Sequence, residues 1–258
     1  MSSGFDGGML AIGDGSATDI GALATARRLM VRNAILGGLS PEEFARIRPH
    51  LKRVPFQRST ILQEQRTRIK VVSFIESGLV SLRNVSAENS IEIALAGAYG
   101  AVGASVLLGP KESFYRSVAL TAGVSLAIEV NELLHLIAGW PQLKERLLLY
   151  VHALLRQSSQ VAMCAMRHQL EQRIAGWLCH VSDSVGGAEV PVTHDYLSTQ
   201  LGLRRAGITE ALIRFEGDEL ITRARGTLRV LDRERLSRRA CGCYSVVWGR
   251  HRSSQAGQ

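Results

Sequence analysis

Residues Thr193 to Asp232, THDYLSTQLGLRRAGITEALIRFEGDELITRARGTLRVLD, decide how the chain is organised. Thr193 has the hydroxyl that a helix start needs to satisfy an orphan backbone N–H. Tyr196, Leu197 and Leu201 follow at helical spacing, and Gly202 supplies the turn. A second amphipathic run begins near Arg204. Ile208, Leu212 and Phe215 form its apolar face, and Arg205, Thr209 and Glu210 lie on the other side. After Leu220, the segment ITRARGTLRVLD alternates apolar and basic residues around Arg225-Gly226, the pattern of a hairpin. Two helices joined at a glycine, followed by a basic hairpin, predict a winged helix-turn-helix. In that design the second helix enters the major groove of DNA and basic side chains hold phosphates. The bland alternative is a helical hairpin with solvated arginines. The glycine position, the arginine pair opening the second helix and the basic wing together weigh against it.

Charge points the same way. The 258-residue chain carries a net charge of +8, and from Thr193 to Arg252 twelve arginines face seven acids. A polyanionic partner suits that balance. Length allows two modest domains, and 46% apolar with 21% charged residues is the composition of a globular protein. No secretory signal or membrane span is legible, and four cysteines (Cys164, Cys179, Cys241, Cys243) make no disulfide framework, so a cytoplasmic protein is expected.

Working outward, residues 1–25 are rich in Gly, Ser, Ala and Asp and read as a mobile tail, and 248–258 form a C-terminal tail. Ala26 to Leu36 suit a short helix, and Ser40-Pro41-Glu42-Glu43 is a helix start with cap, proline and first-turn acids. From Lys52 to Val130, short runs alternate at period two between Gly, Asn and Ser, which predicts a β-sandwich or roll within 26–140. Pro141 begins a long helical run, 141–167, with an apolar stripe. Such a stripe belongs either to a central core helix or to a dimer seam. Its place between a β domain and a DNA-binding domain favours the seam, with Leu147, Val151, Leu154, Ser158 and Ala165 lining it in a homodimer and Ala162 and Ala165 allowing close approach. Residues 168–247 then make the DNA-binding domain. The fold class is thus α+β: a jelly-roll-like β-roll, a long dimerisation helix and a winged helix-turn-helix.

This order of parts resembles the Crp/Fnr family of bacterial transcription regulators over about Leu39 to Tyr244. QRIAGWL after the long helix, LGLRRAGITEAL and ITRARGTLRVLDRERL carry the likeness, and RRACGCY resembles the tails of a subgroup. The resemblance implies a homodimer on double-stranded DNA, with RNA polymerase as a further partner. It puts Arg204, Arg205, Thr209 and Glu210 at or beside the groove and Thr193 at a phosphate contact; the wing adds Arg223 and Arg225. Two departures stand out: Gly207 lies inside the recognition helix, and Arg204 replaces the usual Ser or Thr cap.

Family members that bind cyclic nucleotides use a Gly-Glu pair and a later Arg-Ser pair. Here the turn reads Gly100-Ala101-Val102-Gly103 and the later pair is Arg116-Ser117. Without the carboxylate for the ribose hydroxyl, cyclic nucleotide binding is not expected. Two readings of the pocket remain, a site filled by Tyr99, Phe114 and Tyr115 or a site for another small effector. No cofactor and no metal site is expected. Cys241-Gly-Cys243, near His251, reads as two ordinary thiols, and Cys164 and Cys179 as small core residues. No P-loop, G-x-S-x-G, H-E-x-x-H or dinucleotide fingerprint is present, so no enzymatic activity is expected. The rival from another class is a β-roll adaptor that acts through protein contacts alone.

Overall fold

A computed structural model describes residues 31–186 and 189–246. The expected tails at 1–25 and 248–258, the start of the Ala26 helix, and His251 lie outside the described residues. The described part begins with α1 (Ala34–Gly37) and α2 (Pro41–Ile47), which ends in a 3-10 turn, Arg48–His50. The Ser40 start forms a full capping box, with Ser40 accepting from the Glu43 amide and Glu43 from the Ser40 amide. Asn33 caps α1 and ties it to the strands, its Nδ2 donating to the carbonyls of Ile75 (2.9 Å) and Gly100 (2.8 Å).

Eight strands follow: β1 (Lys52–Phe56), β2 (Ile61–Gln63), β3 (Val71–Ser77), β4 (Val80–Val85), β5 (Ser90–Ala96), β6 (Ala101–Val102), β7 (Arg116–Ala119) and β8 (Gly123–Glu129). They pair antiparallel in two four-stranded sheets, ordered β1-β8-β3-β6 and β2-β7-β4-β5. Consecutive strands alternate between the sheets except for the β4-β5 hairpin, which lies within one of them. Phe56, Ile75, Val80, Leu82, Ala94, Val102 and Tyr115 fill the space between them. The β-roll expected from the period-two runs is therefore present.

Two helices lead away from the roll, α3 (Val130–Gly139) and the 27-residue α4 (Pro141–Arg167). Here one expectation is corrected. Leu147 and Val151 are buried in the cluster formed with Val72, Phe74 and Ile128, Leu154 packs on the core between the sheets, and the Ser158 hydroxyl donates to the Ile93 carbonyl. That face of α4 lies on the roll and is not a seam. The expectation failed because spacing marks an apolar stripe on a helix without saying what covers it. The second stripe is Leu148, His152, Leu155, Ser159, Ala162 and Met166, all exposed at alternating steps of four and three. Met166 is 84% exposed. Ala165, also exposed, adjoins this stripe.

The helix breaks at His168, whose backbone is extended, and α5 (Leu170–Ser184) starts a separate unit. It continues with α6 (His194–Leu201), α7 (Arg205–Gly217), a hairpin of β9 (Ile221–Ala224) and β10 (Thr227–Val230), and α8 (Arg233–Arg239). Val190 adds a single antiparallel bridge to Leu228, so the hairpin gains the beginning of a third strand. The core of this unit contains Ile174, Trp177, Leu197, Ile208, Leu212, Phe215, Leu228 and Leu236, and it runs on without a gap into Leu79, Leu95 and Leu120 of the roll.

A buried carboxylate fixes this junction. Glu92 of β5 accepts from Trp177 Nε1 (2.7 Å) on α5, from the Tyr196 hydroxyl (2.8 Å) on α6 and from the Ser81 hydroxyl (2.6 Å) on β4. Arg83 donates to Ser81 (3.0 Å) and stacks on the Tyr196 ring, 5.2 Å from its centroid. Burial raises the Glu92 pKa above its ordinary value, against the downward pull of these hydrogen bonds and of Arg83. Satisfying three donors from two domains with one carboxyl sets the orientation of the C-terminal unit on the roll.

Candidate nucleic-acid interface

The helix-turn-helix is built as its sequence predicts. Thr193 caps α6, its hydroxyl accepting from the Tyr196 amide at 3.1 Å. Gly202 ends α6 in the left-handed conformation (φ 61°), and the Leu203 amide returns to the Ser198 carbonyl at 2.9 Å. Leu212, Phe215 and Ile208 are fully buried, so the opposite side of α7 is the side that faces solvent.

At the start of α7 the Arg204 cap has no side-chain hydrogen bond, and no acid occupies the first turn. Two arginines beside the positive end of a helix dipole oppose helix stability. They favour instead an anion at the unpaired amides of that end. The Arg205 side chain is 68% exposed and pairs with Asp195 of α6 at 3.1 Å. The Thr209 hydroxyl is held by the Arg205 carbonyl (3.1 Å) and the His194 ring (3.0 Å). Glu210 is exposed, 4.0 Å from Arg214, which itself pairs with Glu171 of α5. Burial, helped by the charges of Arg223 and Arg205, lowers the His194 pKa below its ordinary value.

The wing divides its arginines between two tasks. Arg223 is bound through its amide (3.1 Å), Nε (2.9 Å) and Nη2 to Glu216 on α7, and this pairing holds the Glu216 carboxyl below its usual range. It braces the wing against the helix. Arg225 at the tip and Arg229 on the following strand are exposed. Arg229 was not among the expected site residues, although its alternation with the buried Leu228 in Thr227–Val230 was the available signal. The expected residues Thr193, Arg205, Arg223 and Arg225 line one groove between the N-terminus of α7 and the wing.

Gly207 has a structural cause. A Cβ there would come within 2.6 Å of Leu170 Cδ1, so the glycine lets α7 pack against the start of α5. The glycine costs about 1 kcal/mol of helix propensity relative to alanine.

In the roll, the expected effector residues lie beside β6 and on β7. Gly100 and Gly103 flank β6, and Ser117 is fully buried on β7. Arg116, its neighbour on the alternating strand, points away and donates from Nε to Glu64 at 2.7 Å. Of the three expected filling residues, Tyr115 is buried while Tyr99 and Phe114 are exposed; Phe114 meets Tyr115 edge-on at 4.7 Å. Tyr150 of α4, not anticipated, lies against Gly100, where an added Cβ would be 2.8 Å from its hydroxyl. Burial raises the pKa of both Tyr115 and Tyr150, so both are neutral phenols.

The chain also gathers side chains that sequence order keeps apart. Cys164 and His168 at the end of α4 meet Cys241 and Cys243, which follow α8. Cys179 is buried elsewhere, within the core of the C-terminal unit.

Among protein families, that of Crp-like helix-turn-helix domains matches residues 172–239. No curated protein matches the sequence. Among solved structures, FixK2 from Bradyrhizobium japonicum is similar with a TM-score of 0.64 at 13% identity, covering 74% of this chain and 98% of that one. A crp/fnr-family putative transcriptional regulator from Eubacterium rectale gives 0.64 at 17% identity, covering 81% and 98%. The c-di-GMP responsive regulator CLP of Xanthomonas campestris gives 0.62 at 16%, covering 74% and 99%. Residues 172–239 thus form a Crp-like helix-turn-helix domain, carried on the fold of the Crp/Fnr transcription regulators.

Proposed function

We propose that this chain is a sequence-specific DNA-binding transcription regulator that acts as a homodimer on an inverted-repeat operator. One observation carries the reading: the exposed start of α7 pairs Arg204 and Arg205 with unpaired backbone amides, beside a wing bearing Arg225 and Arg229. In this reading Arg205, Thr209 and Glu210 reach base edges, while Thr193, Arg204, Arg225 and Arg229 meet phosphates. Arg223 contributes through the wing, which it holds to α7.

The homodimer reading rests on the exposed stripe of α4 from Leu148 to Met166. Two such stripes packed in parallel relate the two α7 helices by a two-fold axis, so half-sites fall about one helical turn apart. No cyclic nucleotide is required in this reading. Ala101 stands where a ribose-binding carboxylate is needed, Arg116 is paired with Glu64, and Tyr115 and Tyr150 fill the interior.

Selection of bound duplexes from a random pool, followed by salt titration of the selected site, tests the proposal. An inverted repeat whose affinity falls steeply with salt is the expected result. Absence of duplex binding, or binding indifferent to salt, would leave a β-roll adaptor working through protein contacts.

A further inference from the structure

We infer that Cys164, His168, Cys241 and Cys243 form a site for one tetrahedral divalent cation of the zinc class, tying the long helix to the end of the DNA-binding unit. Cys164 lies on the last turn of α4, and His168 is the residue that ends the helix, its amide donating to the Cys164 carbonyl at 3.1 Å, which holds the two at the same helix end. Cys241 follows α8, and Cys243 opens the helical turn after it. The three sulfurs and one imidazole nitrogen all lie within 4.8 Å of one another.

The distances fit one shared ion. Cys164 Sγ is 3.5 Å from Cys241 Sγ, and Cys243 Sγ is 3.3 Å from His168 Nδ1. Metal–sulfur bonds of about 2.3 Å and a metal–nitrogen bond of about 2.0–2.1 Å give tetrahedral edges of about 3.8 and 3.6 Å. A disulfide needs about 2.05 Å between sulfurs, so Cys164 and Cys241 are not bonded to each other. An iron–sulfur cluster spreads its ligands over several irons and does not suit four donor atoms converging on one point. Three thiolates and one imidazole are a soft donor set that selects zinc over magnesium or calcium.

The surroundings support the ligands. Gln160, one turn before Cys164, donates from Nε2 to Cys243 Sγ at 2.8 Å, a contact that would orient and partly neutralise a bound thiolate. Arg173 on α5 lies within electrostatic range of Cys164 and Cys241 and offsets the net negative charge of three thiolates around a dication. The segment carrying Cys241 and Cys243 is held in turn by Tyr244, whose hydroxyl is shared by Asp183 and Arg233, with the Arg233 guanidinium 5.2 Å over its ring. Cys241 and Cys243 are both buried, and Cys164 and His168 are half-buried.

Such an ion would close the 77-residue separation between Cys164 and Cys241 with one set of bonds. It would therefore fix the angle at the His168 break, where the helix-turn-helix unit leaves α4. This inference does not depend on which DNA, if any, the chain binds.

The test uses the full-length protein, purified under reducing conditions without chelator. Metal analysis is expected to find one zinc per chain, and replacement by cobalt(II) should give the visible bands of a tetrahedral site with sulfur-to-cobalt charge transfer. Removing the metal should expose three more reactive thiols and lower the Tm of the wild type. Cys241→Ser and Cys243→Ser should lose the cobalt charge-transfer signal, whereas Cys179→Ser should keep it. The wild-type cobalt titration needs no variant to fold. Protein that stays metal-free and colourless through zinc and cobalt titration would overturn the inference. Acid-labile sulfide with iron, or a Cys164–Cys241 disulfide in the isolated protein, would overturn it equally.

Discussion

Replacing Glu92 tests whether one buried carboxyl sets the junction between the roll and the helix-turn-helix unit. Glu92→Ala leaves the Trp177 indole N–H, the Tyr196 hydroxyl and the Ser81 hydroxyl without their shared acceptor. An unsatisfied buried donor costs about 1–3 kcal/mol, and the two hydroxyls can rotate to recover part of that. The expected loss is therefore about 3–5 kcal/mol, the range seen when one partner of a buried polar network is removed. Glu92→Gln keeps the volume and an acceptor oxygen for Trp177, and should lose only about 1–2 kcal/mol, the difference between a charged and a neutral hydrogen bond. The two variants also separate by pH. The folded pKa of Glu92 is raised above the ordinary 4.5, so the native state holds this proton where the unfolded chain releases it. The Glu92 contribution to wild-type stability then falls as pH rises from 4.5 towards the folded pKa, and levels off above it. The glutamine variant lacks that term, so its deficit should narrow over the same window. Urea titrations followed by tryptophan fluorescence at several pH values measure both effects. An alanine variant within about 1 kcal/mol of wild type would refute the junction argument. So would a glutamine deficit that grows with pH.

Four shorter predictions follow from the interface and the long helix. Arg205→Ala should weaken binding to the selected site by about 1–3 kcal/mol more than binding to random duplex, the discrimination of a bidentate base contact; equal losses in gel-shift titrations would make Arg205 a phosphate contact. Arg225→Ala should weaken both duplexes alike and reduce the salt slope by about one unit. Leu155→Lys should sediment as a folded monomer with half-site affinity only, whereas Leu154→Lys, facing the roll, should instead lower the Tm; the reverse pattern would mean the two faces of α4 are misassigned. Cyclic AMP and cyclic GMP at millimolar concentration should leave the Tm unchanged, and saturable stabilisation by either would contradict the filled-pocket reading.

The sequence alone determined the features governed by neighbours along the chain. The Ser40 capping box, the Thr193 cap and the Gly202 turn each depend on residues within one helical turn, so their chemistry is local and legible. Strand alternation marked the roll, and the periodic face of α7 marked its buried side. Only the tertiary structure decided which polar and apolar groups meet across distance. It divided the two faces of α4, giving Leu147 and Leu154 to the roll and Leu155 and Met166 to solvent, because a period of 3.6 specifies a face but not what covers it. It turned Arg116 to Glu64 and Arg223 to Glu216, since an arginine in a basic segment carries no sign of a partner many residues away. It explained Gly207 through Leu170, and it joined Glu92 to Trp177 and Tyr196. The thiols show the limit most plainly. Cys164 with His168 and Cys241 with Cys243 are each only half of a ligand set, and the halves become one site because α8 packs back along α5 to the end of the long helix.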